Sequence, residues 1–221
     1  DRSVSRGLGD VYKRQKLSVQ MPIVFDDVSE WNCTINANKA ILELFHRGGG
    51  PAHINLETTY SKKTVTDIKP VRAIFRYDAL DKLPDINAKS VCVFVGSHIQ
   101  MSKKLQNAIS DFCEKYNGIV LCDHTSNYRG KYRAFCNIVT GQYYWKSKIK
   151  NVDLILHIGN ISSSDYGINA GEVWRINPDG EIRDTFRKLY KVFEMDELEF
   201  FEAYNKMREY KEDDSFLNLY K

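Results

Sequence analysis

Residues 90–96 read SVCVFVG and residues 118–122 read GIVLC. Past Ser90 both runs are continuously apolar and of strand length. A sheet with one wet face would alternate apolar and polar residues; an unbroken run fits a strand buried on both faces, as in a parallel sheet. Between the two runs, Leu105, Ala108, Ile109 and Phe112 recur on one helical stripe of residues 101–116. Two further apolar runs follow, VDLILHIG at 152–159 and EVWRI at 172–176. Strands spaced by helical stretches require right-handed crossovers that lay helices against the sheet. The expected fold is α/β, a Rossmann-like parallel sheet with helices on both faces, over residues 89–190.

Upstream, Ala37, Ala40, Ile41, Leu44 and Phe45 predict a helix over 36–45. Gly48, Gly49 and Gly50 stop it, and Pro51 forbids its continuation. AHINL at 52–56 alternates like a strand, and 16–25 reads as a short extended segment containing Pro22. These pieces suggest a partial α/β domain over 16–60. The stretch 57–88 is polar and carries Pro70 and Pro84. Its length favours a domain boundary, with 61–88 as a linker holding one short strand near 73–77. Downstream, a charged helix is expected over 194–210, docked by Leu198, Phe200, Phe201 and Tyr204. Residues 191–221 are read as leading out of the sheet domain. Residues 3–15, SVSRGLGDVYKRQ, lack apolar periodicity and look like translated sequencing-adapter read-through, so 1–15 are set aside as a disordered artefact.

The formal net charge is +3, of which Arg2, Arg6, Lys13, Arg14, Asp1 and Asp10 contribute +2. A nearly neutral body argues against a nucleic-acid binder, which needs a concentrated basic face. No apolar run approaches the length of a membrane span. The five cysteines (33, 92, 113, 122 and 136) include no C-x-x-C spacing, which argues against zinc or a redox motif. Buried thiols and a cytoplasmic location are expected.

Two features together carry a resemblance. GPAHINL at 50–56, preceded by the helix with Ala37 and Ala40, is similar to the G-P-x-H-x-N strand that closes the pyrimidine-binding domain of thiamine-diphosphate-dependent enzymes. After a linker come an apolar strand ending at Gly96, a second strand entering CDHTS at 122–126, and a third ending in Ile158-Gly159, in the order of that family's central domain. The likeness covers residues 16–190. It points to the acetolactate-synthase-like group and to the menaquinone-pathway, succinyl-transferring synthases, including homologues from polysaccharide gene clusters. The family departs from this chain in two places: Glu57 stands where proline is usual, and Gly96-Ser97-His98 replaces G-x-G. A nucleotide lying over that turn normally needs the second glycine.

The resemblance implies a transferase or lyase that decarboxylates a 2-oxo acid and passes the carbanion to an acceptor. It also implies thiamine diphosphate and Mg²⁺ in the full-length parent, and a homodimer or homotetramer. The family's catalytic glutamate falls before residue 16, and its G-D-G metal motif has no counterpart here, so no catalytic or metal residue is assigned and no cofactor is expected on this fragment alone. Pro178-Asp179-Gly180 with Asn205 imitates the metal spacing, but N-P-D-G is a turn signal.

Parallel sheets bind ligands beyond the carboxyl ends of their strands. The candidate lining there is Gly96, Ser97, His98, Asp123, His124, Thr125, Gly159 and Asn160. The alternative function is a nucleotide- or effector-binding module without catalysis. His53 is read as a packing residue of its strand or a cofactor-side group. Asp123, His124 and Ser126 are too close in sequence to form a triad, and no nucleophile elbow is present. Tyr143, Tyr144 and Trp145, with Lys146 and Lys148, form an aromatic-basic cluster suited to a core or to stacking on a ring.

Overall fold

The apolar runs do form the strands of one parallel sheet. The computed structural model describes residues 17–21, 27–56, 71–135, 151–160, 168–209 and 213–220. The chain divides into two units, Asp1–Phe75 and Arg76–Lys221.

In the first unit, β1 (Leu17–Met21) pairs in parallel with β2 (Ala52–Leu56), Ser18 facing His53 and Gln20 facing Asn55. The strand of the G-P-x-H-x-N motif thus joins the extended segment before it. His53 is exposed on β2. Helix α1 (Asp27–Glu43) starts well before the 36–45 that spacing predicts. Thr34 and Ile35 are β-branched and weaken the helical signal, yet Cys33, Ile35 and Ala40 are buried, and that packing overrides propensity. Buried Asn38 fastens the chain beyond: its Nδ2 donates to the carbonyls of Thr34 at 2.8 Å and Arg72 at 2.9 Å, and its Oδ1 accepts from the Ile74 amide at 2.7 Å.

Strand β3 (Phe75–Asp78) starts at the last residue of the first unit, and the second unit goes on with β4 (Val91–Val95), α2 (Lys103–Lys115), β5 (Gly118–Cys122), β6 (Arg133–Phe135), β7 (Asn151–Ile158), β8 (Asn169–Ile176), β9 (Leu189–Glu194) and α3 (Glu197–Met207). The sheet order is β3-β9-β8-β7-β4-β5-β6. From β4 to β6 and from β4 to β9 every neighbouring pair is parallel. The chain builds outward from β4 through β5 and β6, then returns to the other side of β4 with β7, so the topology reverses between β4 and β7.

Ser102 caps α2, its side chain accepting from the Leu105 amide at 3.1 Å, and Asp196 caps α3 through the Leu198 amide at 2.8 Å. The two helices lie together on one face. Phe112 meets Phe201 edge-on at 5.3 Å, and the Tyr116 hydroxyl donates to the Tyr204 carbonyl at 2.8 Å. Beneath them Val91, Val93, Val95, Leu156, Ile158, Trp174 and Phe193 complete one apolar core. On the opposite face the described cover includes Phe186, edge-on to Phe94 at 5.1 Å; residues 136–150 and 161–167, between strands that flank that face, lie outside the described residues.

Residues 191–221 are grouped with the second unit. Leu189–Glu194 is a strand of the sheet, and only Glu197–Met207 is helical within the expected 194–210 helix. LYKVFE is short and carries two charges, and the stronger helical pattern after it masks it in the sequence.

Candidate functional site at the carboxyl ends of the strands

The sequence places eight candidate residues past the carboxyl ends of β4, β5 and β7, and six of them meet there through their own backbone. The amides and carbonyls of Ser97 and Asn160 exchange hydrogen bonds of 2.8 and 2.7 Å, an isolated antiparallel bridge across the topological reversal. Gly96 donates to the Ile158 carbonyl at 3.0 Å. The His98 amide donates to the Thr125 carbonyl at 3.1 Å. Two glycines make this closure possible. A Cβ on Gly96 would stand 2.0 Å from the Asn160 carbonyl oxygen. Gly159 has φ +71°, and a Cβ there would meet the Ser97 oxygen at 2.8 Å. Gly96 therefore serves a close contact between two backbone segments at the place where a nucleotide-binding turn would use glycine to approach a phosphate.

Asp123 and His124 contribute differently. Asp123 is buried, and its Oδ1 accepts from the Thr125 amide at 2.7 Å and hydroxyl at 2.6 Å, a turn-forming side chain. His124 is exposed. Ser126 donates its hydroxyl to the Asp123 carbonyl at 2.9 Å, so Asp123, His124 and Ser126 form no relay.

His98 holds the loops together. Its Nε2 lies 2.8 Å from Glu197 Oε2, and its Nδ1 lies 2.7 Å from the Ile99 carbonyl oxygen. Both ring nitrogens face acceptors, an arrangement that favours the protonated ring. The Glu197 carboxylate raises the His98 pKa against the opposing effect of burial. The other oxygen of Glu197 accepts from the Gly159 amide at 3.0 Å, and Asn127 Nδ2 donates to the His98 carbonyl at 2.7 Å. The first residue of α3 thus clasps the ends of β4 and β7.

Glu197 escapes sequence reading because it looks like one more acid in a charged helix. Two others are hidden inside apolar runs: His157 of β7 and Arg175 of β8. They face one another in register and occupy the second-last position of each strand. His157 is 1% exposed and Arg175 is 0% exposed. Neither makes a side-chain hydrogen bond among the described residues. Burial, with Arg175 and Arg183 nearby, drives the His157 pKa well below its ordinary value, so the ring is neutral. Burial pushes Arg175 down to about 10, which still leaves the guanidinium charged at neutral pH. The signal available was a charged residue within EVWRI, a run assigned to a buried strand.

The metal-spacing decoy comes apart. Asp179 accepts from the Glu181 amide at 2.8 Å and from Arg183 at 2.7 Å, while Asn205 sits between the helices, donating to the Ala108 carbonyl at 2.9 Å. Among the described residues no three His, Cys, Asp or Glu side chains gather to hold a metal. Cys33, Cys92, Cys113 and Cys122 are buried thiols, and burial raises Cys113 and Cys122. The aromatic-basic cluster at 143–148 and Cys136 lie outside the described residues. No described helix is long and apolar enough to cross a membrane.

No family model matches the chain. It is similar to the 2-succinyl-5-enolpyruvyl-6-hydroxy-3-cyclohexene-1-carboxylate synthases of Bacteroides fragilis (28% identical over 216 residues), Phocaeicola vulgatus (30% over 207) and Bacteroides thetaiotaomicron (26% over 206). Each alignment covers 85% of this chain, and the chain spans 37% of the length of these curated relatives. The likeness takes in both the G-P-x-H-x-N strand and most of the sheet that follows it, and it bears out the resemblance to thiamine-diphosphate-dependent enzymes.

Proposed function

We propose that this chain is part of an enzyme that decarboxylates a 2-oxo acid and transfers the resulting carbanion to an acceptor, with thiamine diphosphate and Mg²⁺ bound by the parent protein. The chain would supply the end of the pyrimidine-binding domain and the central domain. The supporting observation is the similarity to the three synthases, which covers 85% of the chain and 37% of theirs. The relatives named above are succinyl-transferring synthases, one of the two groups the motifs resemble, so the donor in this reading leaves a succinyl-type unit. The cofactor's ylid would stabilise the carbanion, and the protein would orient the reactants around it. In this reading the cofactor and its Mg²⁺ are held by other parts of the parent, and the central domain acts as support within a homodimer or homotetramer.

The test begins with the reading frame in the source DNA. The frame is expected to continue on both sides, to an upstream active-site glutamate and a downstream G-D-G run followed by asparagine. The extended protein should bind thiamine diphosphate by calorimetry and release CO₂ from a 2-oxo acid, while the 221-residue chain should do neither. An extended protein that ignores both cofactor and 2-oxo acid overturns the proposal.

A further inference from the structure

A row of side chains crosses the sheet on the face away from the helices: Leu121, Phe94, His157, Arg175 and Val192, each in register with the next. Its ends are apolar, and its centre is an imidazole beside a guanidinium. Phe94 and Phe186 stand edge-on to the His157 ring at 5.4 and 5.5 Å. No carboxylate enters this row.

A buried guanidinium with no hydrogen-bond partner is among the costliest groups a protein can carry. The acids closest in influence are committed elsewhere. Asp179 and Glu181 each accept from Arg183 at 2.7 Å. Glu197 is shared between His98 and the Gly159 amide. Their charges favour the Arg175 cation from a distance without bonding to it. All three guanidinium nitrogens and both imidazole nitrogens remain unsatisfied among the described residues. Nothing in apolar packing calls for arginine here, since methionine or leucine would fill β8 at no electrostatic cost.

Chemistry and position agree on one use. A guanidinium presents its N–H groups as a planar fork that matches a carboxylate or phosphate, and a neutral imidazole adds one more N–H. Both residues sit one position before the carboxyl ends of β7 and β8, on the side of the topological reversal where open α/β sheets bind ligands. We infer that Arg175 and His157 form an anion-binding position for a small oxyanion, a phosphate or a carboxylate, which enters from solution and completes the buried charge. This position is separate from the loop clasp of Ser97, His98 and Asn160, and it does not depend on the proposed decarboxylase activity.

The test uses the 221-residue chain in a buffer free of phosphate and carboxylates. Inorganic phosphate and succinate are titrated in separate arms, each against sodium chloride at equal ionic strength. At a hundredfold excess over Kd, the effective anion should raise the thermal midpoint by roughly 5–10 °C, saturably, and give a one-site isotherm by calorimetry. The arm that responds distinguishes phosphate from carboxylate. Arg175→Met should abolish the shift and, without anion, melt no lower than the parent chain. A wild-type chain indifferent to both anions overturns the inference. So does an Arg175→Met variant that folds and still responds. The wild-type isotherm decides the matter independently of the variant.

Discussion

The two faces of the seven-stranded sheet are built from the same strands and differ in what they tolerate. Toward the helices, Val91, Val93, Val95, Leu156, Ile158 and Phe193 meet Ile109, Phe112, Phe200, Phe201 and Tyr204, and the only polar tip in that set, the Tyr204 hydroxyl, donates to the Pro84 carbonyl at 2.8 Å. Away from the helices, Cys92, Ile155 and Val173 are equally buried, but one step on, at the carboxyl ends, the same face carries His157 and Arg175. Alternation along a strand sends neighbouring residues to opposite faces, so a single β-strand can serve packing on one side and carry charge on the other. The first face accounts for stability. The second gives some up at the edge where parallel sheets hold ligands.

The largest expected effect breaks the first face. Phe112 is fully buried, stacked on Tyr116 at 4.4 Å and edge-on to Phe201 and Tyr204. Phe112→Ala should cost about 3–5 kcal/mol in urea unfolding of the chain. A loss under about 1 kcal/mol would mean the helix layer is not the main core. Arg175→Met should move the other way, gaining about 1–4 kcal/mol in anion-free buffer, because it removes an unpaired buried charge. If instead it is as damaging as Phe112→Ala, the two faces are alike after all.

Gly96→Ala probes the edge between them. Its methyl must displace the Asn160 carbonyl, so a loss of about 1–3 kcal/mol is expected, with faster hydrogen exchange at the Ser97 and Asn160 amides. A neutral substitution would show that the bridge yields without cost.

Sequence patterning reached the strands whose burial is continuous, such as 91–95 and 118–122, because a short apolar run with no polar break fits a strand covered on both faces and few exposed structures. It missed Leu189–Glu194 and Arg133–Phe135, where six and three residues give too few positions to show a period. It found the strand-end loops by topology, and Gly96, Ser97, His98, Thr125, Gly159 and Asn160 do converge. It could not show that Ser97 pairs with Asn160 and His98 with Thr125, since a hydrogen bond between backbones leaves no trace in side-chain identity. His157 and Arg175 were visible as letters, but their meaning depends on cross-strand register and on which acids are already engaged. Those facts arise only when β7 lies beside β8.

Two histidines carry the comparison into pH. His98 has its pKa raised above 6.5 by Glu197, with Asp196 adding to it. Below pH 6.5 the ring is protonated whether folded or unfolded, and the full pairing energy is present. As pH rises from there through the folded value, the folded ring loses its proton and the stabilisation is lost. His157 has its pKa driven well below 6.5 by burial and by Arg175 and Arg183. Above 6.5 it is neutral in both states, so protonation adds no cost. As pH falls below 6.5 the unfolded chain takes up a proton that the buried ring refuses, and stability declines. The two rings therefore give opposite limbs that meet near pH 6.5, and one proton limits each slope to about 1.4 kcal/mol per pH unit. Unfolding free energies from about pH 5.5 to 8 should show the alkaline limb flattened by His98→Gln alone and the acid limb flattened by His157→Phe alone. If His157→Phe leaves the acid limb unchanged, the far face admits a proton as readily as water does, and the contrast between the faces fails at its charged end.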